Sequence, residues 1–568
     1  MYETDELRWR LYALMAIVAA FVLVLTAKLF YIQVLQNSYY TSLAKKEHWR
    51  EETILPRRGS ILDTNGSALA TSVSFESLYA NTSQITNADR LAKAIAGVLN
   101  EPANEVEAKL LVQQAAPVLV KPFLSWDTAE ALRRLRLWDV FLEPEFKRYY
   151  PEGSLAASLM GLVGRDNKGL TGVEAALDPD LAGMPGSVLA ERDSGGDEIA
   201  LSARQITPPK DGSDVVVTID RFVQRVIERE LNSAVRLHQA AGGVIVVMEP
   251  RTGAILGMAN RPTFDLNDPN LFHPTRAPLY RNPAIADAWE PGSIFKIVTM
   301  AAALDAKAVT PDEAFNNTGR FAYGGGTVRN VITRLGPETM TQVLQRSSNI
   351  GAAYAGTKLG ADRFYQYVTM FGFGQPTEVE VPGESGGILR KPGMPSWYPF
   401  DLAANSFGQG IAVTPLQMVT AASAVANGGI LMKPYVIKEV MSPQRRVYNP
   451  TVIRQVISPE TARTLTGMLV SVVETTDGGV VRMSKVPGYA LAGKTGTAEI
   501  PGREGYTSGD TIASFLGFGP AEDPRFVILV KIDSPKASPW GETVAAPTFK
   551  KVAEQLLAHM RVPRQETR

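Results

Sequence analysis

The chain has 568 residues, too long for one compact core and enough for about three folded units and a connector. Lys plus Arg and Asp plus Glu both number 58, so no bulk field recruits nucleic acid. Cysteine is absent, which excludes disulfides, thiol catalysis and thiolate-held metals and is compatible with an oxidising exterior. The four histidines, His48, His238, His273 and His559, are too scattered for a metal cluster or a histidine triad, so neither a metal nor a cofactor is expected.

In chain order, Leu11 to Ala27 is an uncharged apolar stretch that resumes after Lys28 through Val34. A helix over 11–34 is long enough to cross a bilayer, with Lys28 reaching toward the headgroups. The alternative is a cleaved signal peptide, but the apolar run exceeds the usual length of about 7–15 residues and no A-x-A-like site follows at once. Arg8 and Arg10 on one side and Lys45, Lys46 and Arg50 on the other leave the orientation open. Ser42-Leu-Ala-Lys45 has an S-x-x-K spacing just beyond this segment, where no site is expected.

From about Tyr40 to Val235 short β-like runs alternate with amphipathic helices. Leu91, Ile95, Val98 and Leu99 recur at helical spacing after Thr86. Glycines beside charged groups, in 56–66 and 169–174, read as tight turns, with Arg58, Asp63 and Glu174 in structural salt bridges or turns. A helix carrying Val223, Val226, Ile227 and Leu231 follows, and Glu228 and Asn232 are placed on its solvated face.

A new unit begins near Gly242. Val244–Met248 and Ala254–Ala259 read as a strand pair around a turn. Near the other end, strands are expected around Lys494, at Ser514–Phe518 and at Phe526–Ile532, followed by a helix after Pro547 with Phe549, Val552, Leu556 and Met560 on one stripe. Five antiparallel strands drawn from both ends of one domain then enclose a helical middle, an α+β arrangement. In the middle, Thr414-Pro-Leu-Gln417 opens a helix with a capping box, and Asn427-Gly-Gly429 closes it. Ser406-Phe-Gly-Gln-Gly410 is glycine-rich without a phosphate-cradle pattern, so nucleotide use is unsupported.

Three segments carry chemistry: Ser293-Ile-Phe-Lys296, Ser347-Ser-Asn349 and Lys494-Thr-Gly496. Pro291-Gly292 precedes a nearly all-apolar run to Leu304, which predicts a buried helix with Ser293 in its first turn and Lys296 one turn on, within reach of the hydroxyl. To accept a proton, Lys296 must be neutral. Lowering a free lysine from about 10.4 by about three units requires about 4 kcal/mol of bias against the cation. A second cation about 4 Å away supplies about 4 kcal/mol at an effective dielectric near 20, so Lys494 is the expected source, helped by burial.

In this order the three segments resemble the S-x-x-K, S-x-N and K-T-G elements of the penicillin-binding protein and serine β-lactamase superfamily. Arg58-Gly-Ser-Ile-Leu-Asp-Thr-Asn-Gly66, Gly172-Val-Glu174, Trp289-Glu-Pro-Gly-Ser293, Ser406–Gly410 and Ala492–Glu499 extend the resemblance to class B penicillin-binding proteins over almost the whole chain. Thr64 stands where many relatives carry Arg, a difference in the pedestal.

The resemblance implies a peptidoglycan D,D-transpeptidase of the plasma membrane, single-pass, with its amino terminus cytoplasmic and its catalytic domain outside. It implies a tail over 1–10, an anchor over 11–34, a β-rich pedestal or dimerisation-like domain over 35–235 and a transpeptidase domain over 236–568. Ser293 is implied as nucleophile, Lys296 as base, Ser347 as proton relay and Asn349 as the group orienting Lys296 and substrate. Lys494 and Thr495 would hold the substrate carboxylate. Backbone N–H groups of Ser293 and Thr497 would form an oxyanion hole, with Gly496 allowing close approach of the strand.

Implied partners are stem peptides on lipid-linked precursor polymer, a membrane-embedded SEDS-type glycosyltransferase, other divisome proteins, and β-lactams as covalent inhibitors. Glu228-Arg-Glu-Leu-Asn232 matches a deacylating E-x-x-L-N pattern but precedes Ser293 instead of following the S-x-N element, so transfer to an amine is favoured over hydrolysis. With a short tail before the anchor and an end at Arg568, neither an output domain nor appended wall-sensing modules are expected. Septal synthesis is the leading role; the alternatives are an elongation enzyme, a D,D-carboxypeptidase or a non-catalytic β-lactam-binding scaffold.

Overall fold

A computed structural model describes residues 3–564, except 84, 113, 115, 116, 165, 192–203, 333, 443, 476–481 and 501–508. For 3–7, 44–52, 191 and 482 it describes the backbone alone, so the side chains of Lys45, Lys46, His48 and Arg50, like Met1 and Tyr2, lie outside the described residues. A helix Glu3–Phe30 continues into a π-helical turn Tyr31–Leu35. Within it Arg8–Leu35, 28 residues containing an 18-residue window of mean hydropathy 2.5, is long and apolar enough to cross a membrane. This apolar helix fits a membrane anchor.

The chain divides into two compact units. The first gathers Met1–Arg57, Val73–Lys147 and Gly183–Asp211; the second gathers Arg58–Ser72, Arg148–Ala182 and Gly212–Arg568. Part of the 35–235 stretch thus packs in the same unit as the three motifs.

In the first unit, strands Trp49–Ile54, Gly186–Glu191 and Arg204–Thr207 form an antiparallel sheet. The helix expected from Thr86 spans Ala88–Leu99, starting where the Asn87 side chain accepts the Arg90 N–H as its N-cap. Its apolar face buries Leu91 and Ile95 in a cluster with Leu78, Val120 and Leu132.

The second unit is built on a five-stranded sheet in the order Ile255–Arg261, Gly242–Met248, Phe526–Asp533, Thr511–Gly519, Ala492–Glu499, with every pair antiparallel. The inner strands are apolar on both faces because helices cover both, which explains why they read as runs instead of alternating. Arg221–Leu237 and Gly541–His559 pack on the sheet and on each other, and Phe549 meets Phe515 with ring centroids 4.6 Å apart. Pro415–Ala426 packs on the central strands and carries the expected Thr414–Gln417 capping box.

Arg58 is 1% exposed. Its Nε donates to Glu174 Oε2 at 2.7 Å and its Nη1 to Asp178 Oδ1 at 2.7 Å, a structural role as read from the turn.

Two local expectations are corrected. The last helix begins at Gly541, so Pro547 lies inside it; the proline cannot donate to the Thr543 carbonyl and its ring crowds that oxygen, and the buried Val544 and Phe549 hold the turn. Glu228 is not on a solvated face. It is 8% exposed and accepts the Ala156 N–H at 2.7 Å and Gln224 Nε2 at 2.9 Å, with Arg261 Nη2 at 3.3 Å. Contacts from a distant segment, which helical periodicity does not register, draw it inward.

Candidate active site

Ser293 lies in a single 3-10 turn, Gly292–Phe295, that runs into the helix Lys296–Asp305. This is tighter than the α-helical first turn expected from sequence. In 3-10 geometry residues three apart eclipse, which brings Lys296 Nζ to 3.0 Å from Ser293 Oγ.

The Ser406–Gly410 loop holds the turn from behind. Gly292 N donates to the Gly408 carbonyl at 3.0 Å, Thr299 Oγ1 to the Ser406 carbonyl at 2.8 Å, and Gly410 N to Glu290 Oε1 at 3.0 Å. Gly408 has φ +83°, and a Cβ there would stand 2.1 Å from the Gly292 carbonyl oxygen, so only glycine lets the loop sit this close. The glycine-rich loop is a cradle for the serine turn.

Lys296 is 1% exposed. Besides Ser293, its amine reaches the Ser347 carbonyl at 2.6 Å, Asn349 Oδ1 at 2.8 Å and Ser347 Oγ at 3.4 Å. The two shortest contacts go to oxygens that only accept. A neutral amine has two N–H bonds for them, which leaves its lone pair toward the Ser293 hydroxyl, the arrangement a proton acceptor needs. The amide of Asn349 is fixed in this sense because its Nδ2 donates to the Arg329 carbonyl at 3.3 Å.

Ser347 follows the helix Met340–Gln345, whose start is closed by a Thr339–Gln342 capping box. Its φ is +56°, a conformation that costs a non-glycine residue about 1–2 kcal/mol and turns both its carbonyl and its hydroxyl to the lysines. Lys494 Nζ donates to Ser347 Oγ at 3.0 Å. Ser293, Lys296, Ser347 and Lys494 therefore form one continuous hydrogen-bonded chain, with Asn349 beside it.

Lys494 lies on the edge strand Ala492–Glu499, opposite Leu516, and is 1% exposed. Its Nζ also approaches the Thr495 carbonyl at 3.2 Å and Thr495 Oγ1 at 3.4 Å. Gly496 is where this strand passes the serine turn. A Cβ there would meet Ser514 Oγ at 2.4 Å, Ile294 Cγ2 at 3.1 Å and the Pro291 carbonyl at 3.2 Å. A Cβ on Gly292 would stand 2.9 Å from the Thr497 carbonyl oxygen, so the two backbones expected to supply oxyanion donors run close together. The Thr497 hydroxyl accepts the Gly541 N–H at 3.2 Å.

Burial pushes Lys296 well below the ordinary lysine range; the Lys494 charge lowers it further and Glu338 opposes the change. Burial alone brings Lys494 down to about 7. Removal from water thus leads for both amines, where the sequence reading gave the lead to mutual repulsion. Every acceptor the two amines touch among the described residues is an uncharged oxygen, so no ion pair offsets the lost hydration of a cation. A carboxylate arriving at Lys494 would restore its ammonium.

Sequence reasoning did not find Glu338, Asn330 or the Arg329 carbonyl, none of which belongs to a spaced pattern. The Ser42-to-Lys45 match lies in the helix Asn37–His48, where the Ser42 hydroxyl donates to the Tyr39 carbonyl at 2.8 Å. Two surface recesses of about 400 Å³, one between Tyr365 and Arg454 and one between Thr171 and Pro382, share no residue with the lysine cluster.

Residues 243–554 match the penicillin binding protein transpeptidase domain, and residues 53–217 the penicillin-binding protein dimerisation domain. Stage V sporulation protein D of Bacillus subtilis is 37% identical over 95% of this chain and 84% of its own length. Peptidoglycan D,D-transpeptidase FtsI of Escherichia coli is 29% identical over 99% of this chain and 93% of its own. Among solved structures, penicillin binding protein 3 of Mycobacterium tuberculosis complexed with aztreonam matches with a TM-score of 0.71 at 30% identity, covering 91% of this chain and 98% of that one. The chain belongs to the class B penicillin-binding proteins, the family of peptidoglycan D,D-transpeptidases.

Proposed function

We propose that Ser293 carries the acyl-enzyme of a D,D-transpeptidase that crosslinks stem peptides in septal wall synthesis, and that β-lactams inhibit it by acylating the same oxygen. The observation that carries this reading is the amine of Lys296, 3.0 Å from Ser293 Oγ and 2.6 and 2.8 Å from two oxygens that only accept, the Ser347 carbonyl and Asn349 Oδ1.

Ser293 Oγ attacks the carbonyl of the penultimate D-alanine as Lys296 takes its proton. A C–O bond forms, and backbone N–H groups of Ser293 and Thr497 stabilise the oxyanion. Collapse breaks the C–N bond; Ser347 passes a proton to the departing D-alanine amine and is reprotonated through the lysine chain. An acceptor amine on a second stem then attacks the ester, gives up its proton along the same route and restores Ser293. Lys494 and Thr495 hold the terminal carboxylate until it leaves, and Gly496 lets their strand lie against the serine turn.

All these groups fall within 236–568, and 35–235 serves as the pedestal. The 11–34 segment anchors the chain with residues 1–10 in the cytoplasm and the site outside, where stem peptides are. Crosslinking consumes newly polymerised strands, and the family resemblance supports a membrane-embedded SEDS-type glycosyltransferase and other divisome proteins as partners.

The test is incubation of the purified chain with a pentapeptide donor and an amine acceptor. Crosslinked dimer with matching release of D-alanine, both lost in Ser293→Ala, is expected. Release without dimer would identify a carboxypeptidase, and neither product from the folded parent would leave only a scaffold.

A further inference from the structure

Two consecutive residues outside the three motifs hold the middle one in place. Arg329 and Asn330 directly follow the short strand Gly326–Val328, whose Val328 is 3% exposed and ties the segment to the core. The Asn330 side chain makes two contacts with the helix Asn349–Leu359: its Oδ1 accepts the Ile350 N–H at 3.0 Å, and its Nδ2 donates to Ser348 Oγ at 3.2 Å. Ser348 is the N-cap of that helix and accepts the Gly351 N–H at 3.2 Å. Asn330 thus satisfies one of the orphan N–H groups at the helix start and steadies the cap that satisfies another. Between Ser348 and Ile350 sits Asn349, whose own Nδ2 donates to the Arg329 carbonyl and whose Oδ1 accepts from Lys296.

We propose that Asn330 is a positioning residue for acylation: it fixes the start of the Asn349 helix, and with it the oxygen that holds the Lys296 amine toward Ser293. This rests on the reading of Lys296 as the base. A helix start can shift by a fraction of a turn without unfolding the domain, since the apolar side of Asn349–Leu359 buries Ile350, Ala352, Ala353, Ala355 and Leu359. A small displacement of Asn349 is enough to turn the Lys296 lone pair away from the hydroxyl. The 329–330 segment therefore acts on the rate of bond formation more than on the binding of the acyl donor.

The test compares full-length Asn330→Ala and Asn330→Asp with the parent for labelling by a fluorescent penicillin over a range of concentrations, alongside melting temperature. Asn330→Ala leaves Ile350 N–H without its acceptor; its limiting labelling rate is expected to fall about tenfold while the half-saturating concentration moves less than about threefold. Asn330→Asp keeps an oxygen for Ile350 N–H and can accept the Ser348 hydroxyl, so it is expected to stay within about threefold of the parent. A parental limiting rate in Asn330→Ala overturns the proposal, as does an equal loss in both variants or a loss carried by the half-saturating concentration alone. Should Asn330→Ala fail to fold, Asn330→Gln replaces it. The same amide set one methylene too far must label slowly, and parental labelling there overturns the proposal equally. Label on Ser293 in a parent whose Asn330 variants behave normally rejects the positioning role alone; label elsewhere in the parent rejects the underlying reading.

Discussion

Lys296→Arg separates proton acceptance from mere positive charge. The amine of Lys296 is buried, lies within hydrogen-bond distance of the Ser347 carbonyl and Asn349 Oδ1, and faces Ser293 Oγ at 3.0 Å. Arginine keeps a cation in the cavity but is not deprotonated in a protein. A positioned base contributes about 10²–10⁴-fold, or about 3–5 kcal/mol of barrier, so acylation should slow by that factor. The guanidinium also overfills the site, with a stability cost of about 1–3 kcal/mol. Lys296→Met is therefore the companion variant, because it removes the amine at nearly constant volume. The assay is the second-order rate constant for labelling by a fluorescent penicillin, with melting temperature measured on the same samples. Both variants should fold, and both should label at least about 100-fold more slowly than the parent. An arginine variant within about tenfold of the parent beside a slow methionine variant would show that charge, and not proton acceptance, is what Lys296 supplies.

Three further outcomes follow from the same geometry. Glu338 is 2% exposed, accepts Asn317 Nδ2 at 3.1 Å and lies 3.9 Å from Arg346 Nη1, and its charge raises the proton affinity of Lys296 while Lys494 lowers it. Glu338→Gln removes the charge and keeps an oxygen for Asn317, so the acid limb of the labelling-rate profile should move to lower pH; a limb that stays or rises contradicts this.

Lys494 has a folded value of about 7 against 10.5 for the free side chain, so the unfolded chain binds more protons between those values and stability rises with pH across that window. Lys494→Met should raise the unfolding free energy by about 1–3 kcal/mol at pH 6, an advantage that shrinks toward pH 10.5, while abolishing crosslinking. Denaturant melts at several pH values check the sign.

Gly496→Ala should push the edge strand off the serine turn and slow labelling about 100-fold. Adding Ser514→Gly, which removes the hydroxyl 2.4 Å from the new methyl, should recover part of the rate. No recovery would place the obstruction at Ile294 or Pro291.

The parts of this fold written into the sequence are those set by neighbours in the chain. The strands Gly242–Met248, Thr511–Gly519 and Phe526–Asp533 showed as apolar runs, the Pro415–Ala426 helix as a capping box, and the candidate site groups as three short spacings. What escaped depends on contacts between distant segments. Glu228 is drawn inward by Ala156 and Arg261, and Pro547 is retained in a helix by sheet packing. The division into two units alternates along the chain at five points between Arg57 and Gly212, a pattern of packing that no change in composition marks. At the site, repulsion between lysines could be reasoned from the motifs, but the dominance of burial could not, because it depends on how completely other residues close over the two amines. Asn330 and Glu338 belong to no pattern and became visible only through their bonds.

The central claim is that Ser293, activated by Lys296, forms a covalent ester. The most direct measurement is mass mapping of the peptide modified after the intact chain reacts with a penicillin. The account predicts one adduct, on Ser293, absent from Ser293→Ala. An adduct on any other residue, or one that persists in Ser293→Ala, would contradict it.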